Sequence, residues 1–413
     1  MEVIHPRCAG IDCSKRDAKV CVRVQGAGRR GTAKTVTTWG STTAEVLALR
    51  EHLVAEQVGA VIIESTSDYW KPFYYLLEDA LQVMLVNAKS VRNVPGRKTD
   101  VSDAAWLADL GAHGLVRASL VPPPPIRALR DLTRARTVIT RERTREIQRL
   151  EKLLEDAGIK LSSVASEIVG VSGRAILEAL IAGERDPAVL ADLAKYGLRK
   201  KIPALTEALT GRFTEHHGFM ARLYLDCLDD HSAKIARLDE RIAEAMTPFA
   251  AARELLTSIP GFSTRIAEVF IAETGADMAA FPTAAHLASW AGVAPGCNES
   301  AGRVKSAATR PGNRYLKAAL GIAALSAARS KNTYYNAKFA RIAARRGRMI
   351  ALVALERTMV TDAYNMLCNG AFYRDPGPDF YTRHQPAKTK NRAVKQLENL
   401  GYNVTLEPRT DAA

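Results

Sequence analysis

The sequence predicts an α/β domain at the N-terminus and a mainly helical remainder that contains two long helices. Short apolar runs typical of strands dominate residues 8–39, and strands then alternate with helical periodicity as far as residue 115. Beyond the four prolines at 122–125, apolar residues recur at helical spacing. A chain of 413 residues is long enough to divide into two or three domains with separate cores.

The elements of the first domain are predicted in a definite order. Strands are expected at 8–13, 18–25 and 32–39, followed by a helix at 42–57, a strand at 60–64, a helix at 69–80, a strand at 83–86 and a helix at 98–115. Three strands, a helix and then alternating strands and helices match the order of a ribonuclease H-like (resolvase-like) fold. We therefore expect residues 1–121 to form one α/β domain.

The prolines at 122–125 form a stiff, extended breaker and mark the best domain boundary. Long helices are predicted at 127–156 and 219–246, with shorter helices between them. Residues 126–250 are therefore expected to form a helical, coiled-coil linker or oligomerisation region. A mainly α domain is predicted at 251–372, and the polar residues 373–413, which contain several prolines, are expected to form a loosely ordered tail.

The charge distribution predicts a polyanionic partner. The formal net charge is +14, and residues 301–348 contain twelve Lys or Arg residues but no Asp or Glu. A helix face that is only exposed to solvent normally carries charges of both signs. The single sign here therefore favours a nucleic-acid-binding surface over an ordinary exposed one. The candidate contact residues are Arg303, Lys305, Arg310, Arg314 and Lys317 in that stretch, and Arg134, Arg141 and Arg145 in the first long helix.

Composition argues against a membrane protein. No apolar run reaches the roughly 18–20 residues that a spanning helix needs. The first residues lack the basic-then-apolar layout of a signal peptide. We therefore expect a cytoplasmic protein with no membrane partner.

Four acidic residues form the strongest candidate for a catalytic site. Asp12 and Glu64 each end an apolar strand, where a carboxylate is costly unless it is solvated, paired or bound to a metal. Asp100 and Asp103 are spaced i, i+3 and share one helix face, so a cation between them would relieve their repulsion. Hard oxygen ligands suit Mg²⁺ or Mn²⁺, and two such ions can promote phosphoryl transfer.

Each acid also has a simpler interpretation. Asp100 could cap the N-terminus of its helix, Asp103 could interact with the helix dipole, and Asp12 could be a turn residue. Taken singly, these interpretations are the more common ones. Taken together, two strand-end acids and an i, i+3 pair in this order favour a metal site.

Six short segments carry a family resemblance: residues 10–15, 63–70 and 98–104 in the first domain, and 258–262, 288–295 and 311–317 near the C-terminus. Together they resemble the DEDD transposases of bacterial insertion sequences, the insertion-sequence one-ten family, which includes Piv-type invertases. The segments at 98–104 and 291–295 are fairly specific in combination. The match extends over most of the chain, in the right order.

The resemblance implies an acidic tetrad of Asp12, Glu64, Asp100 and Asp103 that binds Mg²⁺. It also implies a C-terminal transposase domain with a serine nucleophile, which forms a transient phosphoserine link to DNA. Ser300 is the matching serine, although Ala301 separates it from the glycine that follows directly in the family pattern. That departure leaves Ser306 as a rival.

The resemblance further implies the partners and the setting. The expected partners are donor and target DNA and a noncoding guide RNA encoded by the element, in the bacterial cytoplasm near the nucleoid. Strand exchange on two duplexes suggests a homodimer or a homotetramer. Two other functions stay open: a metal-dependent Holliday-junction-type endonuclease that uses water as nucleophile, and a non-catalytic nucleic-acid scaffold.

Overall fold

The computed structural model describes residues 2–26, 31–65, 67–88, 91, 103–296 and 298–407. The chain forms two compact units, Met1–Val121 and Pro122–Ala413, which divide at the start of the proline run. The α/β class of the first unit and the helical class of the second agree with the sequence-based prediction.

The first unit is built on one mixed sheet. Its strands are β1 (Arg7–Cys13), β2 (Asp17–Val24), β3 (Ala33–Gly40), β4 (Ala60–Glu64) and β5 (Val83–Val86), and its helices are α1 (Thr43–Ala55), α2 (Trp70–Leu77) and α3 (Asp103–Ala112). The strand order is β3-β2-β1-β4-β5. β1 pairs antiparallel with β2 and parallel with β4, and β4 pairs parallel with β5.

Helix α3 lies directly on the central strand β1 because Gly10 leaves room for it. A Cβ atom at Gly10 would lie 2.5 Å from the backbone nitrogen of Ala108 and would also overlap the carbonyl oxygen of Ala104. The opposite face of the sheet carries a separate apolar core that includes Ile11 and Ile63. The sheet is therefore covered on both faces, as expected for its parallel part.

The second unit contains helices and, among its described residues, one β-hairpin. The helices are α4 (Pro124–Asp156), α5 (Leu161–Val164), α6 (Val171–Ile181), α7 (Pro187–Asp192), α8 (Ile202–Ala208), α9 (Glu215–Ala245), α10 (Ala250–Thr257), α11 (Thr264–Thr274), α12 (Ala284–Ala291), α13 (Arg314–Ala327), α14 (Tyr334–Arg346), α15 (Arg348–Asn369), α16 (Phe380–His384) and α17 (Pro386–Asn399). Short 3₁₀ helices lie at Tyr196–Lys201, Thr247–Phe249 and Met278–Ala280. The hairpin consists of β6 (Asn298–Ser300) and β7 (Arg303–Ser306).

The long helices α4 and α9 run antiparallel. Arg143 of α4 donates to the Ser232 hydroxyl of α9 at 3.0 Å, and Arg136, earlier in α4, donates to Asp239, later in α9, at 2.8 Å. The shorter helices between them form an apolar core with the end of α4 and the start of α9. Within the described ranges no helix combines the length and the apolar character that crossing a membrane requires.

Part of the polar segment predicted as a loosely ordered tail is helical, since α16 and α17 form there. Pro386 stands in the first turn of α17, where its fixed φ angle and missing N–H are tolerated. No Gly or Pro then interrupts the helix before Gly401. None of the residues of α17 is buried, so packing within this chain does not explain its position.

We expect Gly10→Ala to destabilise the first unit by about 1–3 kcal/mol, because the new methyl group would push the α3 backbone away from β1. Urea unfolding followed by circular dichroism measures the change. Gly31→Ala is the matched control, since a Cβ atom there meets no other heavy atom within 4 Å. An equal loss of stability in the two variants would show that the contact between β1 and α3 is not restrictive.

Candidate active site and nucleic-acid interface

Asp12 and Glu64 lie next to each other at one edge of the sheet. β1 and β4 pair in parallel with Ile11 opposite Ile63, so the acid that follows each isoleucine occupies the same level. Neighbouring strands are roughly 5 Å apart. Because side chains alternate along a strand, Asp12 shares the sheet face of Gly10, which is the face that α3 covers.

Asp103 approaches the same edge from the neighbouring helix. It is the first residue of α3, and the following residue, Ala104, lies against Gly10 two positions before Asp12. Asp100 lies outside the described residues. Among the residues that are described, no three His, Cys, Asp or Glu side chains come close enough together to hold a metal ion.

The surroundings of Asp12 favour a nearby cation. Burial raises the pKa of the Asp12 carboxyl above its usual value, so its charge is only partly stabilised. Lys19 stands opposite Asp12 on β2, and its ammonium group donates to the hydroxyl of Thr38 at 2.9 Å. The oxygen donors of Asp12, Glu64 and Asp103 are of the type that Mg²⁺ prefers. The donor chemistry therefore fits a divalent cation.

Ser300 is exposed at the tip of the β6–β7 hairpin. It pairs with Arg303 across a two-residue turn of Ala301 and Gly302, which have φ angles of 50° and 72°. Two positive φ angles are typical of a type I′ turn, which matches the twist of the strands. The residue inserted between Ser300 and the glycine is therefore accommodated as the first central residue of a tight hairpin turn.

The rival Ser306 is placed differently. It is half-buried at the end of β7, and its hydroxyl accepts a hydrogen bond of 3.2 Å from the backbone N–H of Ala308. Ser300 is exposed and lies directly across from the basic side chain of Arg303. Of the two serines, Ser300 is the more accessible.

The base of the hairpin is fixed by close backbone contacts. Gly292, with a φ angle of 78°, approaches Gly312 so closely that a Cβ atom on Gly292 would lie 2.8 Å from the backbone nitrogen of Gly312. Pro295 and Thr309 form an isolated antiparallel bridge. The ammonium group of Lys317 donates to the Thr309 hydroxyl at 3.0 Å. Lys317, predicted to contact nucleic acid, thus also anchors this loop.

A buried carboxylate that the sequence analysis missed connects this loop to the long helix α4. Glu273 is fully buried, and its two oxygens accept hydrogen bonds of 2.7 Å each from the guanidinium group of Arg134. Arg130 lies 3.5 Å from the same carboxylate. The side-chain amide of Asn313 donates to Glu273 at 2.6 Å, while its oxygen caps α13 by accepting from the backbone of Tyr315.

The basic candidates of α4 fall into two groups. Arg134 is engaged by Glu273 and also lies over the ring of Tyr315, 4.8 Å from its centre. Arg141 and Arg145 are exposed. A groove of about 280 Å³ between α4, α11 and α13 is lined by Arg141 and Tyr315, among others. Residues far apart in sequence thus line one groove, and Arg314 at the start of α13 is also exposed.

Comparison with known families gives two matches. A family described as a transposase, of the DEDD type found in IS110, matches residues 9–159. The family described as Transposase IS116/IS110/IS902 matches residues 253–340. The first range includes all four acidic candidates, and the second includes Ser300 and the basic loop after it.

Two relatives belong to insertion elements. The chain is 38% identical over 128 residues to an uncharacterised 43.6 kDa protein of insertion element IS110 from Streptomyces coelicolor, a match that covers 30% of this chain and 31% of that protein. It is 30% identical over 333 residues to an uncharacterised 42 kDa protein of insertion element IS900 from Mycobacterium paratuberculosis. That match covers 72% of this chain and 79% of the relative.

We expect Glu273→Gln to destabilise the second unit by roughly 1–3 kcal/mol, because it removes the buried carboxylate that pairs with the partly exposed Arg134. The midpoint of chemical unfolding measures this. Asp230→Asn serves as the control, since it removes a carboxylate from an exposed pair with Lys234 and should leave the midpoint unchanged. Similar midpoints for both variants would contradict a structural role for Glu273.

Proposed function

The chain belongs to the IS110 family of transposases, and on that premise we propose that it is an RNA-guided DNA recombinase that cuts and rejoins strands during transposition of an insertion element. One observation carries the proposal: Asp12 and Glu64, two acids of the DEDD pattern, end neighbouring parallel strands at the same level of the sheet. Asp103 begins α3, the helix that packs on β1 at Gly10. A structural role for the two strand-end acids would not require this placement.

The acidic residues would hold divalent metal. The DEDD transposase domain implies dependence on divalent metal in general, and we propose Mg²⁺, with Mn²⁺ as a substitute, held by Asp12, Glu64, Asp100 and Asp103. When bound, such ions activate an attacking oxygen and stabilise a leaving one on phosphorus. The contribution of the chain is to orient Asp12 and Glu64 side by side at the ends of paired strands. The ribonuclease H-like assignment of this domain is part of the same proposal, and the strand order supports it.

We assign Ser300 as the nucleophile. Its hydroxyl oxygen would attack a DNA phosphorus as the bond from phosphorus to one sugar oxygen breaks. The serine proton would end on that sugar oxygen, which leaves as a hydroxyl, and the strand is held as a phosphoserine ester. Three features support this choice over Ser306: the exposure of Ser300, its position at a hairpin tip and the adjacent Arg303. A serine hydroxyl is a weak nucleophile alone, so it depends on a metal or base for activation.

Exposed basic side chains would hold the nucleic acids. Arg303 and Lys305 lie on β7 of the Ser300 hairpin and Arg310 follows it, and all three are exposed and suited to the scissile phosphate. Arg141 and Arg145 on α4 are candidates for the guide RNA. Base pairing by that RNA would select the donor and target sequences, while the protein would contact mainly backbone phosphates. Exchange between two duplexes favours a homodimer or a homotetramer.

We predict that Ser300→Ala abolishes the covalent protein–DNA adduct, because no oxygen remains to attack phosphorus, while DNA and RNA binding persist. Denaturing electrophoresis of end-labelled DNA detects the adduct. Ser306→Ala, the matched control, should still form it.

Three other results would each favour a different assignment. Adduct formation that survives in Ser300→Ala but is lost in Ser306→Ala would transfer the role to Ser306. Metal-dependent cleavage without any adduct in the unmodified protein would favour the junction endonuclease. Unimpaired transposition in an Asp12→Asn variant would instead favour a non-catalytic scaffold.

Guidance by RNA predicts that one discrete RNA species copurifies with the protein. Sequencing of the nucleic acid extracted from the purified protein tests this. The double variant Arg141→Ala, Arg145→Ala should lose most of that RNA, because counterion release at exposed arginines drives phosphate binding. A heterogeneous mixture of cellular RNA, unchanged by the substitutions, would contradict guidance.

A further inference from the structure

A small aromatic cavity lies in the second unit, away from the Ser300 hairpin. It has a volume of about 270 Å³ and is bordered by α14, the C-terminal part of α15 and the segment that leads into α16. Its aromatic lining residues are Tyr334, Phe372, Tyr373 and Phe380. Ligand pockets commonly measure roughly 300–1,000 Å³, so this cavity suits one small ring system rather than a large cofactor.

The floor of the cavity is polar. Asp362 lines it, and the buried Tyr335 donates its hydroxyl to one carboxylate oxygen at 2.7 Å. Burial raises the pKa of the Asp362 carboxyl, which indicates that this acceptor is incompletely stabilised. The buried hydroxyl of Tyr373 has no hydrogen bond of normal geometry to any described residue. The floor therefore presents the Asp362 carboxylate to a ligand that can donate hydrogen bonds.

The rim of the cavity combines aromatic faces with positive charge. Phe372 is 54% exposed although it lines the cavity. The ring centres of Tyr334 and Phe380 are 4.9 Å apart in an edge-to-face arrangement. Arg374 also lines the cavity, and Arg341 on the basic helix α14 lies 4.2 Å above the ring of Tyr381. A flat ligand attached to a polyanion would match this surface.

The chemistry discriminates between occupants. An aliphatic side chain of a protein partner would bury the Asp362 carboxylate without offering it a hydrogen bond, which is unfavourable. A nucleobase offers two apolar faces for stacking and an edge with N–H donors, and its phosphates would meet the arginines. A base with an exocyclic amino group can donate to a carboxylate, as cytosine does through N4, whereas thymine has no such group.

We propose that this cavity binds one unstacked, amino-bearing nucleobase of a DNA strand, with one face on Phe372 and its edge against Asp362. The inference rests on the proposed function only in requiring that the protein binds DNA. Most of the cavity lies beyond residue 340, where the matched C-terminal family range ends. It adds a base-reading contact that is separate from the Ser300 hairpin.

The test compares the affinity of the full-length protein for two DNA probes at one salt concentration. The probes are a short oligothymidylate and the same strand with one central cytosine, both measured by fluorescence anisotropy. We expect the cytosine-containing strand to bind about 10-fold more tightly, because it adds a hydrogen bond to a charged acceptor. Adenine at the same position should give a similar gain.

Two variants attribute the preference to the cavity. Phe372→Ala removes an exposed stacking face and should weaken binding of the cytosine-containing strand about 5- to 100-fold. Asp362→Asn should reduce the preference over oligothymidylate. Phe219→Ala, which removes a phenylalanine of α9 that is more exposed than Phe372, is the control and should leave the preference intact.

The failure of this inference can be distinguished from failure of the proposed function. Equal affinity for the two strands, or a preference that survives in Phe372→Ala, would overturn the base-binding cavity while leaving DNA binding in place. An unmodified protein that binds neither strand would contradict both.

Discussion

The buried carboxylate of Glu273 is the constraint on which the helical unit depends. A charge with no exposed surface is tolerated only when it is fully paired, and here Arg130, Arg134 and Asn313 supply the donors. These partners come from α4 and from the loop before α13, whereas Glu273 itself lies on α11. Satisfying one charge therefore fixes three helices relative to each other.

The position of the Ser300 hairpin follows from that arrangement. Asn313 is both a partner of Glu273 and the N-cap of α13, so the loop before it has little freedom. In that loop Gly312 packs on Gly292, and Thr309 bridges to Pro295. Short, direct links thus connect the long helix α4 to the hairpin. A phosphoryl transfer reaction gains from such rigidity, because misplacement of a nucleophile by about 1 Å can cost roughly 100-fold in rate.

The sequence predicted most elements because apolar periodicity specifies them locally. The strand at 60–64 and its terminal acid agree with the structure, and so do the two long helices to within a few residues. The predicted start of α4, at residue 127, is too late. The prolines at 122–125 predict a break in the chain, but proline also fits a first helical turn, and α4 begins at Pro124. The β6–β7 hairpin has strands of three and four residues, which are too short to show an alternating apolar and polar pattern in the sequence. The Glu273–Arg134 pair joins residues 139 apart, and nothing in either helix alone marks Glu273 as buried.

The sequence is limited in the same way for the basic residues. A net charge does not show which Lys and Arg side chains are already paired with carboxylates of the same chain. In the first half of α4, Arg134 neutralises Glu273, and Arg136 is buried between Asp239 and Glu268. These charges are compensated within the chain. Further along α4, Arg141 and Arg145 are exposed to solvent. One arginine-rich helix therefore divides into a part that supports the fold and a part whose charge is available to a polyanion. Substitutions in the first part should reduce stability, whereas substitutions in the second part should reduce the affinity for nucleic acid.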